Sequence, residues 1–261
     1  MTAVRAPAKL TTSLAVTGVR PDGYHELRAE MVSIDLADTL DIDAGGSGLR
    51  IDAGPGTRAE ALAGADESNL VTRALAAAGM RAAVTIHKRI PLGGGLGGGS
   101  SDAAAVLRWA ACTDLDVALG LGADVPFCLC GGRALVEGIG ERVTPLPFED
   151  RRYVLLVPPF GVDTPRVYAA WDALAPARRQ GGGGNDLTAA ALAVEPRLAV
   201  WRDALGELTG CTPALAGSGS TWFVEGWPAD VGAEGRAHLS RAGETALMVR
   251  VRTVPAGWEG D

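Results

Sequence analysis

A mixed helix-and-strand globular fold, of one large or two moderate domains, is predicted by three features of the 261-residue sequence. A hydrophobic content of 47% supplies a substantial core. Residues 83–110 read as strand, glycine-rich loop and helix in direct succession. Short strands bounded by turn residues alternate with stretches of helical apolar spacing on both sides of that unit. The formal net charge of -7 argues against wrapping a nucleic-acid backbone, yet it leaves room for local phosphate binding. No stretch approaches a membrane span, and Lys9 with three hydroxyl residues interrupts the only apolar run near the N-terminus. A cytoplasmic location is expected.

In chain order, Lys9–Val16 alternates, with Leu10, Leu14 and Val16 on one face and Lys9, Thr11 and Ser13 on the other. Periodicity alone allows Lys9 to be a solvated lysine on a polar face. Residues 20–25, Arg-Pro-Asp-Gly-Tyr-His, form a turn that presents an aromatic ring beside an imidazole. Short strands are expected at Met31–Leu36 and Leu40–Asp43, then a glycine-rich, charged loop over 44–65. Ser68 is placed as the cap of a helix through Met80, with Leu70, Val71, Ala74, Leu75 and Ala78 as its buried stripe. A strand over 83–90 leads into the glycine loop, and Ala103, Val106, Leu107 and Ala110 mark the helix after it, with Ser100, Ser101 or Asp102 as its cap.

Residues 119–127 set one carboxylate, Asp124, among apolar and small neighbours, either as a helix cap or as a chemical group. Strands are expected at Arg133–Glu137 and Tyr153–Val157, the latter ending at Pro158-Pro159, a candidate domain boundary. Thr164-Pro165 starts a helix that buries Val167, Tyr168, Trp171 and Leu174. Gly181–Gly184 reads as a linker or a second close-approach site, Asn185-Asp186 as a helix start, and Arg197–Leu208 as a helix. A second glycine and hydroxyl cluster, Ala216–Thr221, precedes the strand Trp222–Val224. A helix near Ala233–Arg241 and a strand over Ala246–Val251 complete the reading. Cys112, Cys128, Cys130 and Cys211 contain no C-x-x-C pair, so buried free thiols are favoured over a metal site at Cys128 and Cys130.

The glycine loop, Pro91 to Asp102, is a backbone cradle suited to an anion, because converging amides and a helix start both favour negative charge. Gly93, Gly95 and Gly98 formally satisfy G-x-G-x-x-G, but no strand ending in an acidic residue follows about twenty positions on, as a dinucleotide site requires. A Walker loop is excluded because no lysine precedes Ser100, and the protein-kinase signatures Asp-Phe-Gly and His-Arg-Asp are missing.

Motifs at separate places and in consistent order make the chain resemble the GHMP small-molecule kinase superfamily: Pro7-Ala8-Lys9-Leu10, Pro91 through Ala103, and Gly217-Ser218-Gly219. Asp22-Gly23-Tyr24-His25 and residues 122–127 narrow the resemblance to the branch acting on a cytidine-diphosphate-linked methylerythritol. The resemblance implies an α+β, two-domain GHMP kinase fold, an N-terminal domain like ribosomal protein S5 domain 2 over 1–150 and a ferredoxin-like C-terminal domain over 151–261, with the active site in the cleft between them. It implies ATP and Mg2+ as cofactors, with phosphoryl transfer to the 2-hydroxyl of the acceptor. Lys9 and Asp124 would form the catalytic pair, Asp124 taking the hydroxyl proton and Lys9 supporting the charges. Pro91, Leu92, Gly93, Gly94, Gly95, Leu96, Gly97, Gly98, Gly99, Ser100 and Ser101 would hold the triphosphate, with Asn69 and Lys88 near the adenosine. Thr11, Tyr24, His25, Tyr168, Gly217, Ser218 and Gly219 would meet the acceptor, and no protein metal cage is expected. Thr11 stands where the family usually carries asparagine, and the 112–124 segment is shorter than the family norm. The competing readings are another GHMP kinase, acting on homoserine, mevalonate or a sugar, and a catalytically weak nucleotide-binding protein. A monomer or weak homodimer without nucleic-acid or membrane partners is expected.

Overall fold

The structure, a computed structural model, describes residues 1–53, 67–175, 179, 184–227 and 235–260. Its organising unit is one long antiparallel hairpin, β1 (Thr2–Val19) and β2 (His25–Asp43), closed by Arg20 N–H donating to the Tyr24 carbonyl at 2.8 Å. The two short strands expected over 31–43 are one continuous β2. The intervening Asp38 does not break it, because its carboxylate is buried and accepts backbone and lysine hydrogen bonds.

Around this hairpin, β3 (Gly48–Ala53), β4 (Ala83–Lys88), β5 (Arg133–Gly138) and β6 (Arg142–Leu146) form a sheet of order β3-β4-β2-β5-β6, with β1 on β2. Only β3 and β4 pair in parallel. This half also carries α1 (Leu70–Ala77), α2 (Gly98–Trp109), α3 (Leu115–Leu121) and α4 (Val125–Cys130). The second sheet, β10-β11-β7-β9-β8, uses β7 (Arg152–Val157), β8 (Ala214–Leu215), β9 (Trp222–Glu225), β10 (Arg236–Arg241) and β11 (Glu244–Arg252). It is accompanied by α5 (Thr164–Ala173), α6 (Thr188–Val194) and α7 (Leu198–Thr209).

The two-residue alternation of β1 is interrupted by irregularities between Pro7 and Lys9 and between Thr11 and Ser13. Each extra residue inverts the faces beyond it. Leu10 and Leu14, expected to share a face, therefore join different cores. Leu14 belongs to the larger core, which holds buried residues of both halves, whereas Ala8, Leu10, Val32 and Ile34 pack against Tyr153, Leu155 and Phe223 of the second sheet. That second core is an apolar seam between the halves.

Several expected helix starts shift. Asn69, not Ser68, caps α1, its Oδ1 accepting from Val71 N–H at 2.9 Å, and the helix stops at Ala77. Helix α2 has no side-chain cap: Gly97, in left-handed conformation, precedes it, and Ser101 and Asp102 are buried inside its first turns. Asp163 caps α5, one residue before Thr164, and α6 starts at Thr188 rather than at Asn185-Asp186. The helix expected near 233–241 is, over 236–241, strand β10. Ala237 and Leu239 alternate with exposed residues, and Ala242 and Gly243, both at positive φ, close a tight hairpin to β11. Expected features within 54–66, 181–183 and 228–234 lie outside the described residues. All four cysteines are free; Cys128 is buried, Cys130 half-buried and Cys211 exposed.

Asn185 joins the halves by a different route. It is 2% exposed, forms an isolated bridge with Leu14 of β1, and donates from Nδ2 to the carbonyls of Leu215 and Gly217 at 2.8 and 2.7 Å. Its Oδ1 accepts from Leu187 N–H at 2.9 Å. Asn185→Ala leaves three buried backbone groups without partners and is expected to destabilise the fold by about 2–4 kcal/mol; urea unfolding of the two proteins measures the difference.

Candidate active site

The glycine loop ends β4 and opens α2, and the second glycine cluster, Gly217–Gly219, leans on it. A Cβ at Gly95 would lie 2.7 Å from the Gly219 carbonyl oxygen and 2.9 Å from that of Ala216. At Gly93 it would lie 3.3 Å from the Gly161 Cα. Both glycines have positive φ, so neither space nor backbone conformation admits a side chain. The loop is tied to β1 as well, since Lys9 N–H donates to the Leu96 carbonyl at 3.0 Å. Gly97, also at positive φ, lets the Lys9 stem pass: a Cβ there would fall 2.7 Å from Lys9 Cγ.

Lys9 is therefore no solvated lysine. It is 6% exposed, and its Nζ stands 3.3 Å from Asp124 Oδ2 and 3.3 Å from Thr11 Oγ1, which accepts its hydrogen bond. Asp124 precedes α4 but caps nothing with its side chain, leaving the carboxylate a third exposed. Of the two readings of this residue, a side-chain helix cap is the one the structure does not bear out. Thr11 accepts one hydrogen bond from the lysine and is itself buried. The short 112–124 segment still forms a helix, α3, of seven residues before Asp124.

A cavity of about 690 Å³ extends from Lys9, Asp124 and Ser100 to the hairpin tip at Tyr24 and His25. Tyr168 forms its far wall, its ring centroid 4.7 Å from that of His25, while Trp171 meets His25 edge-on at 5.6 Å. Burial pushes the Tyr168 hydroxyl well above the usual phenol range, so it stays protonated. Tyr24 is largely exposed beside it. Gly217 and Ser218 line the cavity, and Ser218 Oγ hydrogen-bonds Thr164 Oγ1 at 2.7 Å. Gly219 contributes its carbonyl to the contact with Gly95.

Two groups absent from the motif reading complete this wall. Asp172 Oδ1 lies 2.8 Å from His25 Nε2 and orients the ring, and Thr164 holds Ser218. Asp172 follows Tyr168 by four positions, which puts both on one face of α5. That spacing was a usable signal.

Asn69 flanks the loop from α1, where Leu70 Cδ1 would lie 3.6 Å from a Cβ on Gly99. Lys88 differs from its expected place at an adenosine. Its ammonium is buried beneath the loop, bonded to Asp38 and, at 2.8 Å, to Asp102, and a Cβ on Gly98 would sit 3.3 Å from it. Lys88 thus props the start of α2. Burial opposes its charge, but the two carboxylates outweigh that and hold its pKa above the ordinary value. Asp38 also accepts from the amides of Arg89 and, at 2.8 Å, Ile90. Asp102 has no such support: burial pushes its carboxyl from 3.8 up to about 7, and its Oδ1 is buried without a partner.

Comparison with known proteins places this geometry. The model of the GHMP kinases N terminal domain matches residues 69–132. A 4-diphosphocytidyl-2-C-methyl-D-erythritol kinase of Polaromonas naphthalenivorans (strain CJ2) is 37% identical over 252 residues, 85% of this chain and 84% of the relative. The enzyme of that name from Clostridium botulinum (strain Eklund 17B / Type B) is 41% identical over 187 residues, 65% of this chain and 64% of the relative's length. A solved structure titled 4-(cytidine 5'-diphospho)-2C-methyl-D-erythritol kinase superposes with a TM-score of 0.69 at 35% identity, covering 85% of this chain and 89% of that one. A solved L. major mevalonate kinase shares the fold at TM-score 0.63 and 13% identity over 98% of this chain and 96% of that one. The chain has the GHMP kinase fold. It belongs to the family of 4-diphosphocytidyl-2-C-methyl-D-erythritol kinases.

A carboxyl whose folded pKa exceeds its unfolded value contributes stability that is full below about pH 4 and is lost as pH rises to about 7. Asp102→Asn, which imitates the protonated acid, is expected to flatten the decline in unfolding free energy between pH 5 and 8 relative to wild type. Urea titrations at both pH values measure it, and parallel declines would show that Asp102 does not titrate in this range.

Proposed function

We propose that the protein transfers the γ-phosphate of ATP to the 2-hydroxyl of 4-diphosphocytidyl-2-C-methyl-D-erythritol, a step of non-mevalonate isoprenoid precursor synthesis. The observation that carries this reading is the Lys9–Asp124 pair, 3.3 Å apart, in one cavity with the glycine loop at one end and the His25–Tyr168 pair at the other. Phosphoryl transfer asks a protein mainly to align the acceptor hydroxyl and to screen charge. Asp124, a third exposed to the cavity, takes the hydroxyl proton. Lys9 balances the alkoxide that develops and the charge on the incoming group, and Thr11 fixes its ammonium. The uncapped amides that open α2 donate to phosphate oxygens, Ser100 adds a hydroxyl, and Lys88 holds the turn from below.

Tyr168 stacks on the cytosine, and His25, oriented by Asp172, reads its polar edge. In this reading a magnesium ion accompanies the ATP and would take few protein ligands. When bound, that ion neutralises the phosphates. Asp124 and Ser100, which line the cavity, would hold it.

The domains divide at residue 150, into 1–150 and 151–261, a reading supported by two sheets that draw their strands from opposite sides of that point. No helix among the described residues is long and apolar enough to cross a membrane. The protein works in the cytoplasm as a monomer or weak homodimer on a small-molecule acceptor.

With Mg2+ and ATP, ADP release is expected with the cytidine-linked acceptor and not with homoserine, mevalonate or galactose; turnover confined to one of the latter would overturn the acceptor assignment. Asp124→Asn is expected to lower kcat by at least about 10²-fold while ATP binding persists, the usual share of a positioned base. Calorimetry with a nonhydrolysable ATP analogue separates the two effects.

A further inference from the structure

A second cavity, of about 420 Å³, lies behind the phosphate loop, between the start of β1, the C-terminal ends of α2 and α4, and the tail after β11. Its size falls within the roughly 300–1,000 Å³ of small-molecule sites. Arg5, Arg108, Trp109 and Trp258 line it, with Cys130 in the wall and the exposed Glu259 at the rim. Neither arginine has a carboxylate within salt-bridge distance among the described residues. Among the described residues, Arg108 donates to the backbone carbonyls of Cys128 at 2.6 Å and Arg5 at 3.1 Å, and Arg5 to Thr39 Oγ1 at 2.9 Å. Burial lowers the pKa of Arg108, the signature of a cation short of compensation.

A guanidinium offers five donors, so each of these retains capacity beyond the bonds it makes. Desolvated cations without counter-charge are costly, and such groups are retained where an anion supplies the balance. Two indoles beside two guanidinium groups add flat apolar surface to that charge. The chain holds this constellation away from the catalytic cavity, which shares none of these four residues.

We propose that this cavity binds a small organic phosphate bearing a flat ring, the phosphate on Arg5 and Arg108 and the ring on Trp109 and Trp258. The site does not depend on the identity of the kinase acceptor. It abuts the phosphate loop through one residue: Pro7 and Cys128 form its inner wall, and Ser101 Oγ donates to the Pro7 carbonyl at 2.7 Å and contacts Cys128 Sγ at 3.4 Å. Helix α2 itself begins at the loop and ends at Arg108 and Trp109.

The probe is 1-naphthyl phosphate, titrated calorimetrically into protein whose catalytic cavity is filled with a nonhydrolysable ATP analogue and CDP. Expected is one equivalent bound, weakened at least about tenfold in Arg5→Gln and in Trp258→Ala, the loss of one charge-assisted bond or one ring contact. Trp258→Phe, which keeps a ring, is expected to stay within about threefold of wild type, and quenching of tryptophan fluorescence should track the heats. Circular dichroism and retained phosphotransfer in each variant exclude unfolding as the cause. Absence of binding up to millimolar probe, displacement by the nucleotides, equal affinity for uncharged 1-naphthol, or indifference to both Arg5→Gln and Trp258→Ala would each overturn the site.

Discussion

The two halves of the molecule meet where backbone touches backbone, at Gly95 against Gly219 and Ala216 and at Gly93 against Gly161. No side chain intervenes, so the glycine loop of one half and the glycine turn of the other are held at a fixed separation. The apolar seam from Leu10 and Ile34 to Tyr153 and Phe223 presses them together, and Asn185 fixes the turn from behind. Lys9 and Asp124 then face a cavity whose walls come from both halves.

Electrostatics adds a second layer beneath that contact. Helix α2 carries an open, positive N-terminus on its solvent side. Beneath it lies a buried Asp38–Lys88–Asp102 cluster with two carboxylates for one ammonium. If both acids were ionised, the cluster would carry net negative charge under a turn suited to anions. Burial resolves this by keeping the proton on Asp102 up to about neutral pH. Below that pH the support of the loop is electrically neutral.

Much of this was legible in the sequence because the chemistry depends on short contiguous motifs. The strand, glycine loop and helix order stands as read, the strand carrying Lys9 brings it to Asp124, and Tyr168 and His25 come together as a ring pair. What was illegible depends on register or on partners distant in the chain. Bulges in β1 separate Leu10 from Leu14, which simple alternation cannot foresee. Ser101 and Asp102 look like caps in sequence, but burial turns one toward Pro7 and the other toward Lys88. Lys88 reads as a ligand group until two acids fifty and fourteen residues away enclose it. The strand at 236–241 was within reach, since Ala237 and Leu239 alternate and Ala-Gly closes the hairpin.

The β1–β2 hairpin has a further consequence for how such a protein diversifies. Its middle carries Lys9 and Thr11 against the glycine loop, whereas its tip carries Tyr24 and His25 against α5, and the same two strands join both. Residues 20–24 pair with no neighbouring strand and lie outside both cores. Under the proposed function, altering the tip together with the facing side of α5 would re-cut the acceptor end while the phosphate end stays intact. Novelty in the molecule recognised and permanence in the reaction performed are thus assigned to opposite ends of a single pair of strands.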